Sequence, residues 1–324
     1  MIKLPVRFEE KLKGVTNYAN LYKAIDRFNQ LLSENNLYFF EEYTDHGYSH
    51  INSVLETADK IIDNETFELL SSNDIFLLVS AICLHDLGMH LKFVSFKNLV
   101  ENDRSIICDS FDSKTWKELW INYTIEAQKF SSRKRYEIFG DSEINIIIPD
   151  LTNKDKLTGI DKKLIGEFIR RHHPRIAHEI AVSGIVGDKS NILFFDNEVE
   201  DDFKDLSGLL ARSHGMDLRD TFKYLKAKFD RIWKQPYDTN YIFLMIVLRM
   251  ADYFQIDSKR VLKIPFQTKS FKSPFSYSEH VKHMQICNVQ QIDDDKETLF
   301  IIHIYDYIYE YSLDNIKYKY KYKF

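Results

Sequence analysis

Histidine and aspartate recur in five short segments. YTDHGYSHINSV (43–54) holds His46 and His50. AICLHDLGM (81–89) holds the adjacent pair His85–Asp86. IRRHHPRIAHEIA (169–181) holds His172, His173 and His178. LLARSHGMDL (209–218) holds His214, and LRMADYFQIDSKRV (248–261) holds Asp252. Imidazole with carboxylate is the donor set of Mn, Fe, Co, Ni or Zn, with Mg admissible. One or two such ions acidify water and neutralise charge on a phosphoryl group under attack.

Each residue alone has a bland reading. A single histidine on an apolar face is most often a satisfied core residue, and an adjacent His–Asp pair arises by chance. Asp252 differs, because it sits between Ala251 and Tyr253 after Ile246–Val247–Leu248. A bare anion is expensive to bury there unless paired or metal-bound. Its local alternative is an ion pair with Arg249, three residues earlier. Arg170, Arg171 and Arg175 flank the third segment. They suit bidentate phosphate binding or a solvated helix face equally well. His46 reads as a loop histidine, a substrate contact or a proton donor; Lys259 and Arg260 read as surface residues.

Together the segments say more. The order His, His–Asp, His, His, Asp resembles the HD superfamily of metal-dependent phosphohydrolases. The flanks add to it: Val54 four residues after His50, Leu87–Gly88 after the HD pair, and the LRxAD segment with basic residues behind it. The resemblance covers residues 43–262. It implies His50, His85, Asp86 and Asp252 as core metal ligands, with Asp86 bridging two ions, and His173 and His214 completing the second. His172 and His173 point about 100° apart on a helix; His173 is preferred because it immediately precedes Pro174. Asp86, His46 and Arg171 are the catalytic candidates. Arg170, Arg171, Arg175 and His178 are the substrate-binding candidates. The implied cofactor is one or two divalent transition metal ions.

The implied substrate is a nucleotide: a dNTP or NTP, a dinucleoside polyphosphate, or a cyclic or short oligonucleotide. The Gly-Tyr-Pro signature of the branch that degrades cyclic di-GMP is missing. The DHGxxH, RRxHP and LRxAD segments resemble a bacterial HD branch linked to conflict and nucleotide-signalling systems. Some of its members are joined to an ATPase, so an ATPase or other defence partner and a homo-oligomer are further expectations. Two alternatives use the same ligands: a di-iron oxygenase, and a metal-containing module that senses a nucleotide or binds a partner.

The elements that must position these groups read as mainly α, a helical HD-type bundle. Leu21, Ala24, Ile25, Phe28, Leu31 and Leu32 predict an amphipathic helix over 18–33. Further helices are predicted over 50–62, 74–87, 116–129, 161–171, from Pro174 to about 186, 198–212 and 241–254. Ser72 or Asn73 is the expected cap of the helix over 74–87. Two β-prone runs, 284–292 and 298–305, flank a polar turn and predict a hairpin; 316–324 alternates Lys and Tyr. The expected division is a helical body, 1–262, and a small β-containing end, 263–324.

Composition is consistent with this. The chain has 324 residues, 44% hydrophobic and 14% aromatic, enough for a sizeable core. A net charge of −5 excludes a protein that coats nucleic acid through general basicity. Cys83, Cys108 and Cys287 have no paired spacing and read as free thiols in a reducing cytoplasm. The first residues lack the apolar core of a signal peptide. The longest apolar run noted, 241–250, falls well short of a bilayer span of about 20 residues. There is no Gly-rich phosphate loop, GxSxG elbow or CxxC pair.

Overall fold

A computed structural model describes the chain apart from residues 14–17, 34–36, 45, 102–110, 186, 188–190, 229–236, 257–270, 293–294, 304–320 and 324. Cys108, Lys259, Arg260 and the expected boundary near 262 lie outside the described residues. The fold is mainly α. Helices α1 (Val6–Leu12), α2 (Tyr18–Ser33), α3 (Tyr48–Ile61), α4 (Asn64–Leu69) and α5 (Ser72–Leu84) come first. Next are α6 (Phe93–Glu101), α7 (Trp116–Gln128), α8 (Ser132–Phe139) and α9 (Gly159–Ser183). Then come α10 (Asp201–Ser213), α11 (Leu218–Lys228), α12 (Tyr241–Tyr253) and α13 (Pro274–Gln285).

Helix α5 is the axis of the bundle. Every residue from Asp74 to Leu84 is buried, and a helix that is apolar all round must be central. Helices α1, α2, α3, α9, α10 and α12 all pack on it. Its continuation makes Ser72–His90 long and apolar enough to cross a bilayer, yet 89% of that window is buried inside the protein. This stretch, rather than 241–250, is therefore the most membrane-like in composition, and it is spent on the core. Its cap is Ser71 rather than Ser72 or Asn73. Ser71 and Asp74 form a reciprocal capping box.

Helix α9 differs from the expected pair of helices. It runs unbroken for 25 residues through Pro174. A proline inside a helix removes one N–H and leaves the carbonyl four residues back unserved. Here that carbonyl, Arg170 O, accepts from His173 Nδ1 at 2.7 Å, so the helix continues without an orphaned acceptor.

At the C-terminal end, β1 (Ile286–Ile292) and β2 (Asp295–His303) pair antiparallel, with Val289 opposite Ile301. The hairpin is where the alternation placed it, but Asp295–Glu297 belong to β2 rather than to a five-residue turn. A third strand, β3 (Lys321–Lys323), pairs antiparallel with β2, Leu299 opposite Tyr322. Helix α13 precedes the hairpin and packs on α8.

Asp74 joins the two ends of the bundle that matter most. It is fully buried. Besides Ser71 N–H at 2.7 Å, it accepts the backbone N–H of Asn240, the cap of α12, at 2.6 Å. The start of the helix ending in His85 is thereby fixed to the start of the helix ending near Asp252. Asp74→Ala removes a cap worth about 1 kcal/mol and leaves buried donors unsatisfied, at about 1–3 kcal/mol. The expected loss is about 3 kcal/mol in urea unfolding; a loss below about 0.5 kcal/mol contradicts the role.

Candidate metal centre

Five of the six expected ligands come from helix ends or turns, and the sixth, His173, from the proline position inside α9. His50 lies in the first turn of α3, and His85 is the C-cap of α5. Asp86 follows at φ −100°, ψ 1°, the bridge region that the chain adopts as it leaves the helix. His173 sits beside Pro174 in α9. His214 is the C-cap of α10, and Asp252 lies in the last turn of α12.

Three histidines are oriented by the same device. Nδ1 of His85 bonds Ile82 O at 2.7 Å, that of His173 bonds Arg170 O at 2.7 Å, and that of His214 bonds Ala211 O at 2.5 Å. A carbonyl only accepts, so each Nδ1 carries a proton and each ring turns Nε2 to the centre; that atom is bare where burial keeps the ring neutral, as in His173 and His214. The device works at helix ends and at a proline because carbonyls are left without amide partners there.

These nitrogens and the two carboxylates form two groups. His50, His85 and Asp252 form the first; Asp86, His173 and His214 form the second. Within each, the donor atoms lie within 4.8 Å of one another. Asp86 also faces the first group. Its Oδ2 is 3.4 Å from His50 Nε2 and 3.2 Å from His85 Nε2, while Oδ1 is 3.5 Å from His173 Nε2. Asp252 Oδ1 is 3.5 Å from His50 Nε2 and 3.6 Å from His85 Nε2. The side chains of His50 and His85 are fully buried, whereas that of Asp252 is 30% exposed. Asp252 is therefore at the open side of the centre, not deep in the core.

The donor set fits a cation. His173 Nε2 and His214 Nε2 are 2.8 Å apart. Burial lowers the pKa of both rings, that of His214 to about 4. Two neutral rings whose protons are already given to carbonyls confront each other with lone pairs. A cation shared between them removes that conflict. Burial alone would raise the Asp86 and Asp252 carboxyls; His85, with His50 beside it, outweighs this and holds both below the usual carboxylate range. Burial likewise pulls His85 down, but the charge of Asp86, with Asp252 behind it, carries it well above the usual imidazole value.

Close backbone approach brings the groups together. A Cβ on Gly88, in the turn after the HD pair, would lie 2.8 Å from His173 O. A Cβ on Gly215 would lie 2.4 Å from Pro174 Cγ, so the turn bearing His214 can meet α9 only as glycine. Arg249 does not pair with Asp252. Its Nη1 donates to Ser213 O and Met216 O, each at 2.7 Å, and so clamps the turn that holds His214. The ion pair weighed as the local alternative for Asp252 therefore does not form; the signal for the role of Arg249 lay in the unserved carbonyls at the end of α10, remote in the chain. His46 Nδ1 donates to Thr44 O at 2.7 Å, leaving Nε2 4.0 Å from Asp86 Oδ2.

The remaining expected residues lie elsewhere. His172 turns to Phe168 and Trp116, with ring centroids 4.7 and 5.9 Å away. Burial, then Arg175, lowers its pKa to about 4. The geometry thus puts His173, not His172, in the cluster. His178 is buried and bonds Asp205 at 2.9 Å; Asp205 also accepts from Tyr224 Oη at 2.8 Å. That link holds α9, α10 and α11 together. Arg170 donates to Glu167 at 2.7 and 2.9 Å. Arg171 donates to Glu167 and Glu126 at 3.1 Å. Arg175 is buried, with Glu179 at 2.9 Å and Asp112 at 3.5 Å.

A helical body that converges buried histidine and aspartate groups, one of them an adjacent HD pair, defines an HD-type domain that could hold metal. The family model HD-CE matches residues 40–312, and the chain belongs to that family. No curated protein and no solved structure matches it. The family match begins ahead of His46 and runs through the described hairpin, across the division expected near residue 262.

His85 holds a proton that a metal must displace. That proton is bound below the raised pKa of His85 and is lost as pH climbs through it. Metal affinity therefore rises with pH, about tenfold per unit for each proton displaced. Competition with a chelating dye between pH 6 and 8 measures this, and a flat affinity contradicts it.

Proposed function

We propose that this chain is a metal-dependent phosphohydrolase that cleaves a phosphoester or phosphoanhydride of a nucleotide with water. The observation behind this reading is the split carboxylate of Asp86, one oxygen toward each of two nitrogen-rich groups. His50, His85 and Asp252 would hold one divalent ion, His173 and His214 the other, and Asp86 both. Mn, Fe, Co, Ni and Zn suit these donors, and Mg is admissible. Bound there, the ions supply an acidified water and neutralise charge on the phosphoryl oxygens.

The chain's own groups do the rest. Asp86 and Asp252 stay ionised, so the centre keeps its attraction for cations at neutral pH. The open side at Asp252 is the entrance for substrate. His46 is the proton donor: Thr44 O fixes its Nδ1–H, so a second proton must sit on Nε2, the atom that faces Asp86. From Nε2 it passes to the oxygen leaving phosphorus. Arg170, Arg171 and His178 receive no step, because Glu167, Glu126 and Asp205 take their polar atoms. The resemblance to a conflict-linked branch extends the reading to phage defence beside an ATPase-type partner. Cells expressing the wild type should then resist phage plating, and cells expressing Asp86→Asn should not.

The direct test incubates purified protein and Mn(II) with NTPs, dNTPs, a dinucleoside polyphosphate and a short oligonucleotide, resolving products by ion exchange. One class should turn over, and Asp86→Asn should lose on the order of 10³-fold in kcat/KM. His46→Ala should lower kcat by about 10²-fold with little change in metal content. No turnover by metal-loaded protein contradicts the hydrolase. Iron content with substrate-dependent oxygen uptake would establish an oxygenase instead.

A further inference from the structure

The two segments that carry His173 and His214 also wall a second cavity. It measures about 250 Å³ and is lined in part by Asp112, Lys114, Pro174, Arg175, Arg212 and Gly215. That is room for roughly eight waters at about 30 Å³ each. Pro174 and Gly215 are the direct neighbours of His173 and His214 and touch one another across the wall.

Arg175 is the unusual group here. It is 6% exposed, and its guanidinium lies 4.4 Å from the centre of the Trp116 ring. Its Nε donates to Glu179 at 2.9 Å and its Nη1 to Lys114 O at 2.9 Å. Its Nη2 is buried and has no hydrogen-bond partner. Buried guanidinium donors are almost always satisfied, so one without an acceptor calls for one. Arg212, also buried, grips Asp112 with two bonds of 2.8 and 2.6 Å. Both forks are thus held rigid before any ligand arrives, which lowers the ordering cost of binding. Lys114 is exposed and has no ion pair among the described residues. Cations outnumber carboxylates along the lining, with Lys114, Arg171, Arg175 and Arg212 against Asp112.

We propose that this cavity is a phosphoryl-anion site, distinct from the metal centre, in which Arg175 Nη2 and Lys114 bind a phosphate of a polyphosphate chain. As a role in catalysis this rests on the phosphohydrolase reading; as a binding site it does not. Asp112 already shows that the cavity accepts a two-oxygen anion. The donors left over, Arg175 Nη2 and the Lys114 ammonium, are two cationic groups, and a phosphoryl group offers them more oxygens and more charge than a second carboxylate would. The phosphate has two chemically equivalent sources: the distal end of a substrate bound at the metal centre, or a free polyphosphate. Either would act through the contact of Pro174 with Gly215.

The test titrates tripolyphosphate into the metal-stripped full-length chain by calorimetry. Binding should survive both metal removal and Asp86→Asn. It should weaken about tenfold in Lys114→Ala, a surface change whose folding is checked by thermal melting, and similarly in Arg175→Lys, which keeps the charge but loses the fork. No binding by the metal-free wild type, or equal binding by both variants, overturns the proposal. Binding that depends on Lys114 in a protein that hydrolyses nothing leaves the site standing and removes the hydrolase reading. In the Mn-loaded protein, a raised KM of Lys114→Ala for a triphosphate but not for bis(p-nitrophenyl) phosphate identifies the substrate's own distal phosphate. Tripolyphosphate that alters bis(p-nitrophenyl) phosphate turnover in the wild type, and not in Lys114→Ala, identifies the free anion.

Discussion

The carboxylate of Asp86 is the constraint around which the rest is arranged. One oxygen must reach His50 and His85, the other His173. A side chain with only two rotatable bonds can do this only if its backbone sits where the chain turns out of a helix. The fully buried α5 delivers that point to the middle of the protein. Apart from His85, the rings it must meet come from other helices: the start of α3, the end of α10 and the proline position of α9. Gly88 and Gly215 mark where backbones approach too closely for a side chain.

The second ingredient is the treatment of Nδ1. Ligand histidines need one nitrogen bare, and the protein secures this by giving the other a backbone acceptor. Helix interiors cannot supply one, because their carbonyls are already used. Ends can, and so can the carbonyl freed by Pro174. The same proline that predicted a break in α9 therefore allows the helix to continue, with His173 taking over the bond that the proline cannot make. Local chemistry and metal-site geometry are here one arrangement.

Much of this was legible in the sequence. The six convergent residues were those that the resemblance to the HD superfamily implied, and the HD pair, its Leu-Gly flank and the LRxAD segment prove to be a turn, a close approach and a helix end. Amphipathic spacing placed α2, α3 and α7 within a residue or two. What stayed hidden depends on distant partners. Nothing near Arg249 says that it serves carbonyls of α10 rather than Asp252. Nothing near Arg171 or His178 announces Glu126 or Asp205, which are remote in the chain. Asp252 looked deeply buried because its helix is apolar, yet it lies in the last turn, where the side chain reaches the open side.

Helix α9 shows how one element can serve two electrostatic regimes. His173 must remain neutral to offer a lone pair, while Arg170, Arg171 and Arg175 within one turn of it are permanently charged. Unscreened guanidinium groups so close to the centre would repel metal cations. Carboxylates from three other places, Glu126, Asp112 and the helix's own Glu167 and Glu179, sit against them. Buried charges of this kind are stable only in pairs, and here pairing also shields the groups that could hold a metal. The arginines that look like a phosphate clamp in the sequence are thus largely neutralised, and Arg175 Nη2 is the donor on this helix that the pairing leaves over.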